Sequence, residues 1–244
     1  MADGTYPDGT YRCVARIAQG LFRALDLRLD VVGQEHAPAT GGAVVVLNHT
    51  GYLDFALAGT PFWRERKRLV RFMAKQEVFT SRVTGPLMRA MHHIPVDRAA
   101  GAASFRAAVE VLRAGELVGV FPEATISRSF CLKEFKSGAT RMARAAAVPV
   151  IPVTLWGSQR VWTKDRKPTL GAARHIPISI TIGAPFTPGR GAAADAALVD
   201  VMNDLLDATR ARYPEAPGSD PWWVPAHLGG TAPTPQRAAE LDRS

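Results

Sequence analysis

Val44-Val45-Val46-Leu47-Asn48-His49-Thr50-Gly51-Tyr52-Leu53-Asp54-Phe55 joins a β-branched apolar run to a segment of helical composition, with a histidine and an aspartate at the join. The apolar run has the character of a strand buried on both faces. It stops at Asn48-His49, passes Thr50-Gly51, and gives way to Tyr52-Leu53-Asp54-Phe55-Ala56-Leu57-Ala58, which suits the first turns of a helix. On one continuous helix, residues five apart diverge by roughly 140° at 3.6 residues per turn. Across a strand–turn–helix corner the two side chains can converge, and Gly51 permits a tight corner. Such a pair makes a general base: the carboxylate accepts from one ring nitrogen and fixes the tautomer, leaving the other for a substrate hydroxyl. Taken alone, the spacing also fits an unremarkable histidine beside an N-cap aspartate.

Working outward, strands and helices alternate. A short strand at Leu29–Gly33 precedes the Val44–Leu47 strand and its helix, which runs to about Pro61. A strand around Leu69–Ala74, a helical stretch from Glu77 to Met91, and His93–Arg98 follow. Then come a helix over 101–114 stopped by Gly115, the buried strand Leu117–Phe121, a helix over Phe135–Ala147, and an extended segment at Val148–Leu155. Helices of this length between strands imply crossovers, so the fold expected is α/β: a mostly parallel central sheet flanked by helices on both faces. Ligands on such sheets bind at the carboxyl ends of strands. His49, Arg98 and Glu123 each follow a strand at that end.

A second constellation follows the strand Leu117–Phe121. Phe121-Pro122-Glu123-Ala124-Thr125-Ile126-Ser127-Arg128-Ser129 brings a carboxylate, hydroxyls and a guanidinium together. Arginine can grip phosphate in a paired fashion, and Thr125 can add a hydroxyl bond. Glu123 would hold an arginine or accept from a substrate hydroxyl. Lys136 and Gly138, opening the next helix, would add charge and amides near an anion.

Composition sets the outer limits. The 244 residues, 47% apolar and 21% charged, fit one sizeable α/β domain. Boundaries are expected at 1–27 for an N-terminal amphipathic helix, 28–213 for the main domain and 214–244 for a loose Pro/Gly/Ala-rich tail. In that tail Trp222-Trp223 would cap the core or reach lipid. Two cysteines, Cys13 and Cys131, give neither a metal cluster nor a disulfide framework and suit a reducing cytosol. The polar start Met1–Gly9 argues against a secretory leader, and no segment reads as a membrane span.

The net charge of +8 calls for an anionic partner. Arg12, Arg16, Arg23 and Arg28, interleaved with Val14, Ile17, Leu21, Phe22 and Leu25, read as a basic amphipathic helix lying on an anionic membrane surface. Arg64, Arg66, Lys67, Arg68 and Arg71 form a second cluster, either an anion site or a solvated turn. A serine hydrolase would need a nucleophile elbow, which Gly157-Ser158-Gln159 does not supply. No glycine-rich turn supports a nucleotide site, and His92-His93 lack partners for a metal. A non-enzymatic nucleic-acid or membrane module would explain the charge but not the His–Asp corner.

With these stretches in view, the chain resembles the glycerolipid acyltransferases, and within them the bacterial 1-acylglycerol-3-phosphate acyltransferases. The resemblance rests on four ordered blocks: His49–Asp54 as HxxxxD, Pro95-Val96-Asp97-Arg98, Phe121-Pro122-Glu123-Ala124-Thr125, and Val148-Pro149-Val150-Ile151-Pro152-Val153. It implies transfer of a fatty acyl group from an acyl-CoA or acyl carrier protein thioester to lysophosphatidic acid, with no cofactor, no metal and no nucleic acid. Glycerol 3-phosphate or a glycolipid are alternative acceptors. It further implies His49 as catalytic base oriented by Asp54, Arg98 and Glu123 as acceptor-binding residues, and Pro152 as a residue shaping the donor or acyl site. The basic amphipathic helix, the cysteine usage and the lack of a segment reading as a span lead to an expected location that is peripheral, on the cytoplasmic face of the cell membrane. Two departures stand out: the third block usually reads Phe-Pro-Glu-Gly-Thr-Arg, but here Ala124 replaces the glycine and Ile126 the arginine. Arg128 is the candidate to take over from the missing arginine.

Overall fold

The computed structural model describes residues 8–97, 101–169 and 171–243. Helix α1 (Gly9–Ala24) precedes β1 (Arg28–Val32) and β2 (Ala43–Leu47), and α2 (Asp54–Arg66) leads to β3 (Val70–Lys75). Two short helices, α3 (Gln76–Thr80) and α4 (Thr84–Ala90), precede β4 (Ile94–Val96), α5 (Gly101–Arg113) and β5 (Leu117–Val120). Then follow α6 (Gly138–Ala146), β6 (Val150–Trp156), α7 (Ser158–Val161), β7 (Pro177–Ile182), α8 (Ala192–Ala211) and α9 (Pro235–Leu241).

The strands form one sheet in the order β1-β7-β6-β2-β5-β3-β4. Strands β6, β2, β5, β3 and β4 run parallel, whereas β7 is antiparallel to β6 and carries β1 parallel to itself. Strands β2, β5 and β6 are buried along their whole length, as strands covered on both faces must be. Alternation divides their side chains between two cores. Val45 and Leu47 pack with Phe22 of α1 and with Leu57, Ala58 and Phe62 of α2. Val44 and Val46 pack with Ala108 and Leu112 of α5, Ala139 and Met142 of α6, and Leu198 and Met202 of α8. The mostly parallel sheet with helices on both faces is therefore present.

Several local features differ from the sequence reading. Helix α2 continues past Pro61 to Arg66, its flanks pinned by burial of Leu57, Ala58 and Phe62. The expected single helix over Glu77–Met91 breaks between Thr80 and Thr84. The basic cluster after α2 is architectural in part. Arg68 donates to the carbonyls of Gly41 and Gly115, and the fully buried Arg71 donates to Asp8 at 2.6 Å and to the Met91 carbonyl. Arg28 opens β1 instead of extending α1, and pairs with Glu215.

Helix α1 is apolar on two sides. Tyr11 and Phe22 are buried, but Ile17 and Leu21 are 66% and 50% exposed, with Arg12, Arg16 and Arg23 exposed alongside them. The tail, expected to be loose, is packed. Trp223 is buried with Phe130, Trp156, Leu206 and Val224, and the Arg160 guanidinium lies 4.7 Å from its ring centroid. Of the two expectations for the tryptophans, core-capping is what Trp223 does. Among the described residues no helix is long and apolar enough to cross a membrane.

Candidate active site

Asn48 ends β2 by pairing its side chain with the backbone of β6. Leu155 N–H donates to Asn48 Oδ1 at 2.8 Å, and Asn48 Nδ2 donates to Leu155 O at 3.0 Å. The chain then turns out of the sheet at His49. Gly51 is needed there for room: a Cβ would stand 2.9 Å from Trp162 O and 3.0 Å from Ser158 O. Asp54 begins α2 fully buried, and its Oδ2 collects the corner. It accepts from Thr50 N–H at 2.7 Å and Gly51 N–H at 2.8 Å, and lies 3.0 Å from His49 Nδ1.

An ionised carboxylate has only acceptors, so His49 Nδ1 is the protonated nitrogen and Nε2 keeps its lone pair. The imidazole side chain is 20% exposed, and Nε2 has no hydrogen bond among the described residues. Phe121 stacks on the ring at a centroid distance of 4.1 Å, fixing its plane. The arrangement is a histidine with one nitrogen committed and one open at the carboxyl edge of a parallel sheet.

Glu123 reaches the same corner from the end of β5. It is 4% exposed. Its Oε1 accepts His49 N–H at 2.9 Å and its Oε2 accepts Lys133 N–H at 3.2 Å. Burial pushes its carboxyl up to about 8, against the downward pull of those two backbone bonds. Both oxygens thus tie loops together, and the Ser127 N–H to His49 O bond at 2.7 Å adds a second tie. Ser127 and Ser129 bond each other and Cys131, so their hydroxyls serve the loop. Ala124 adopts φ +60°, the left-handed region where glycine is unstrained. Ile126 is 4% exposed and apolar where the family pattern carries an arginine.

The remaining sequence candidates scatter around this centre. Thr125 Oγ1 accepts Lys164 Nζ at 2.8 Å. Arg128 is engaged by two carboxylates, Asp242 at 3.0 Å and Asp165. Lys136 is exposed, its N–H bound to Pro122 O, and α6 starts only at Gly138, after it. Pro152 is buried inside β6 opposite Val46, three register positions or about 10 Å behind the His49 edge, so the structure does not bring it to the corner. Arg98 lies outside the described residues. His93 is buried, with its Nδ1 accepting Phe72 N–H; burial draws it down to about 3. Among the described residues no group of three or more His, Cys, Asp or Glu could hold a metal ion.

Sequence reasoning missed Phe121 as the imidazole's stacking partner, and missed Lys133, Lys164 and Asp242 near Glu123. An aromatic residue ending the strand beside the histidine strand was the available signal for Phe121. The other three carry none, because their proximity arises only from folding.

The site is thus a His–Asp corner at the carboxyl edge of a mostly parallel sheet, and the comparisons give its class as an acyltransferase. The family model described as Acyltransferase matches residues 28–156, more than half of the chain, and the protein belongs to that family. Among similar proteins, the 1-acyl-sn-glycerol-3-phosphate acyltransferase of Bacillus subtilis is 31% identical over 57% of this chain and 69% of its own length. The enzyme of the same name from Neisseria meningitidis is 29% identical over 63% of this chain and 58% of its own length. That from Limnanthes douglasii is 32% identical, and this chain spans about half of it. The crystal structure of the 1-acyl-sn-glycerophosphate (LPA) acyltransferase PlsC from Thermotoga maritima shares the fold, with a TM-score of 0.68 at 22% identity, covering 84% of this chain and 81% of that one.

Proposed function

We propose that the protein transfers a fatty acyl group from an acyl thioester, carried by coenzyme A or acyl carrier protein, to the sn-2 hydroxyl of 1-acylglycerol 3-phosphate, giving phosphatidic acid. The observation that carries this reading is the 3.0 Å contact of His49 Nδ1 with Asp54 Oδ2, with Nε2 left open. An alcohol stays neutral near pH 7, so its proton must leave as its oxygen attacks the thioester carbon. His49 Nε2 takes that proton, and the buried Asp54 carboxylate stabilises the imidazolium. Collapse of the tetrahedral intermediate breaks the C–S bond, and the imidazolium returns the proton to the departing sulfur. The thioester is already activated, so the cycle uses no covalent acyl-enzyme. Backbone N–H groups at the strand ends are the donors expected for the oxyanion.

The surroundings support lipid substrates. A line of stacked and edge-on rings runs from His49 through Phe121 and Phe72 to Phe55. Phe55 lines a narrow apolar cleft between α1 and α2 with Val14, Ala18, Trp63 and Val70, suited to an acyl chain. Arg98 and Glu123 are assigned to the acceptor side, Glu123 through the loops that it ties. The exposed Ile17, Leu21, Arg12, Arg16 and Arg23 of α1 would seat the protein on the cytoplasmic face of an anionic membrane as a peripheral protein. Incubating purified protein with palmitoyl- and oleoyl-coenzyme A against lysophosphatidate, glycerol 3-phosphate and a glycolipid, with products read by mass spectrometry, tests the reading. Phosphatidic acid should dominate, and its absence alongside another acylated product would reassign the acceptor.

A further inference from the structure

Asp242, just after α9, is the meeting point of three cations from three separate parts of the chain. Its Oδ2 accepts Lys133 Nζ at 2.6 Å, and its Oδ1 accepts Lys164 Nζ at 2.7 Å and Arg128 Nε at 3.0 Å. None of the four side chains is more than 28% exposed, so the cluster is sheltered from water. Burial works against the ionised carboxyl, yet the bonds from Lys133, Lys164 and Arg128 outweigh it and hold Asp242 well below the usual carboxylate range.

Every member of the cationic trio sits one link from the His49 corner. Lys133 donates its N–H to Glu123, which also binds His49 N–H. Lys164 donates to Thr125 and follows Thr163, whose hydroxyl donates to Thr50 O at 2.7 Å. Arg128 follows Ser127, whose N–H donates to His49 O. The trio also pairs with the exposed Asp165, so without Asp242 it carries two uncompensated positive charges. That suits a phosphate monoester, which carries roughly −1.5 to −2 near pH 7.

The carboxylate follows a lightly packed helix. The root of the tail is anchored by buried Trp223, Val224 and Ala232, whereas α9 buries only Ala238. Helix α9 can therefore leave without unpacking the root.

We propose that Arg128, Lys133 and Lys164 form the subsite for the acceptor's phosphate monoester, and that Asp242 fills this subsite in the free protein as an internal competitor. The assignment of the phosphate to the acceptor rests on the acyl-transfer reading above; the anion site itself does not. Entry of the phosphate displaces the carboxylate and frees α9. A site open in roughly one molecule in ten loses tenfold in apparent affinity.

Calorimetric titration of full-length wild type and Asp242→Asn with inorganic phosphate, soluble short-chain lysophosphatidate and monoacylglycerol tests this without any turnover. The variant should bind both phosphorylated ligands roughly tenfold more tightly, with monoacylglycerol unchanged. Adding Lys133→Gln should remove the gain. Equal affinities in wild type and Asp242→Asn would overturn the competitor, and a gain for inorganic phosphate alone would overturn the link to the acceptor. Hydrogen exchange on the wild type gives a check that needs no variant. Saturating phosphate should speed exchange of the α9 amides at Ala238 and Asp242, and unchanged exchange would refute displacement.

Discussion

Asn48 and Leu155 exchange two hydrogen bonds across the end of the sheet, side chain to backbone in both directions, at 2.8 and 3.0 Å. The pair closes the β2–β6 seam one residue before His49, so it sets where the imidazole leaves the sheet. Replacing Asn48 by Ala strands the buried N–H and C=O of Leu155. We expect a loss of about 2–3 kcal/mol in chemical denaturation. Acyl-transfer kcat/KM should also fall roughly 10- to 100-fold, because the base is re-aimed. A variant with lowered stability and unchanged kcat/KM would show that the seam does not position His49.

Glu123 gives a pH signature. Its carboxyl sits near 8 in the fold, above the ordinary 4.5. Between those values the folded state holds a proton that the unfolded state has released, so stability falls as pH rises through this window and the component is fully present below it. Thermal melts of wild type and Glu123→Gln from pH 5 to 8.5 check this. The wild-type melting temperature should decline relative to the Gln variant as pH rises; parallel curves would refute the raised carboxyl.

Ala124 stands at φ +60°, where a Cβ is strained. Ala124→Gly should stabilise by roughly 1 kcal/mol and raise the melting temperature by about 2–4 °C. A lowered melting temperature would mean that the loop relies on the methyl group.

How much of this was legible from sequence follows from contact range. His49 and Asp54 meet within five residues across a strand, a turn and a helix start, so the local pattern allowed them to converge, and the other blocks of the chain favoured that reading over an unremarkable pair. The nearly continuous apolar runs of β2, β5 and β6 declared a covered parallel sheet from local sequence in the same way. The reversal at β7 was hidden, because it depends on a partner far along the chain, whereas core-capping was one of the two readings open for Trp222-Trp223 and Trp223 takes it. The capture of Arg128 by Asp242 is likewise a contact between residues 114 apart. Pro61 misled because packing on both sides of it outweighs one lost helix bond.

Ile17 and Leu21 offer apolar area outward beside three exposed arginines on α1. Ile17→Asp with Leu21→Asp should weaken binding to phosphatidylglycerol vesicles by roughly tenfold or more, read by sedimentation, with the melting temperature unchanged. Added salt should weaken wild-type binding as well. Equal sedimentation of the two proteins would remove α1 from the membrane contact.

The most direct test of the central claim is turnover of His49→Ala with acyl-coenzyme A and 1-acylglycerol 3-phosphate, phosphatidic acid being quantified by mass spectrometry alongside a melting curve. The account predicts a folded protein with kcat lowered by at least roughly 10²-fold. Near-normal turnover in that variant would contradict His49 as the base.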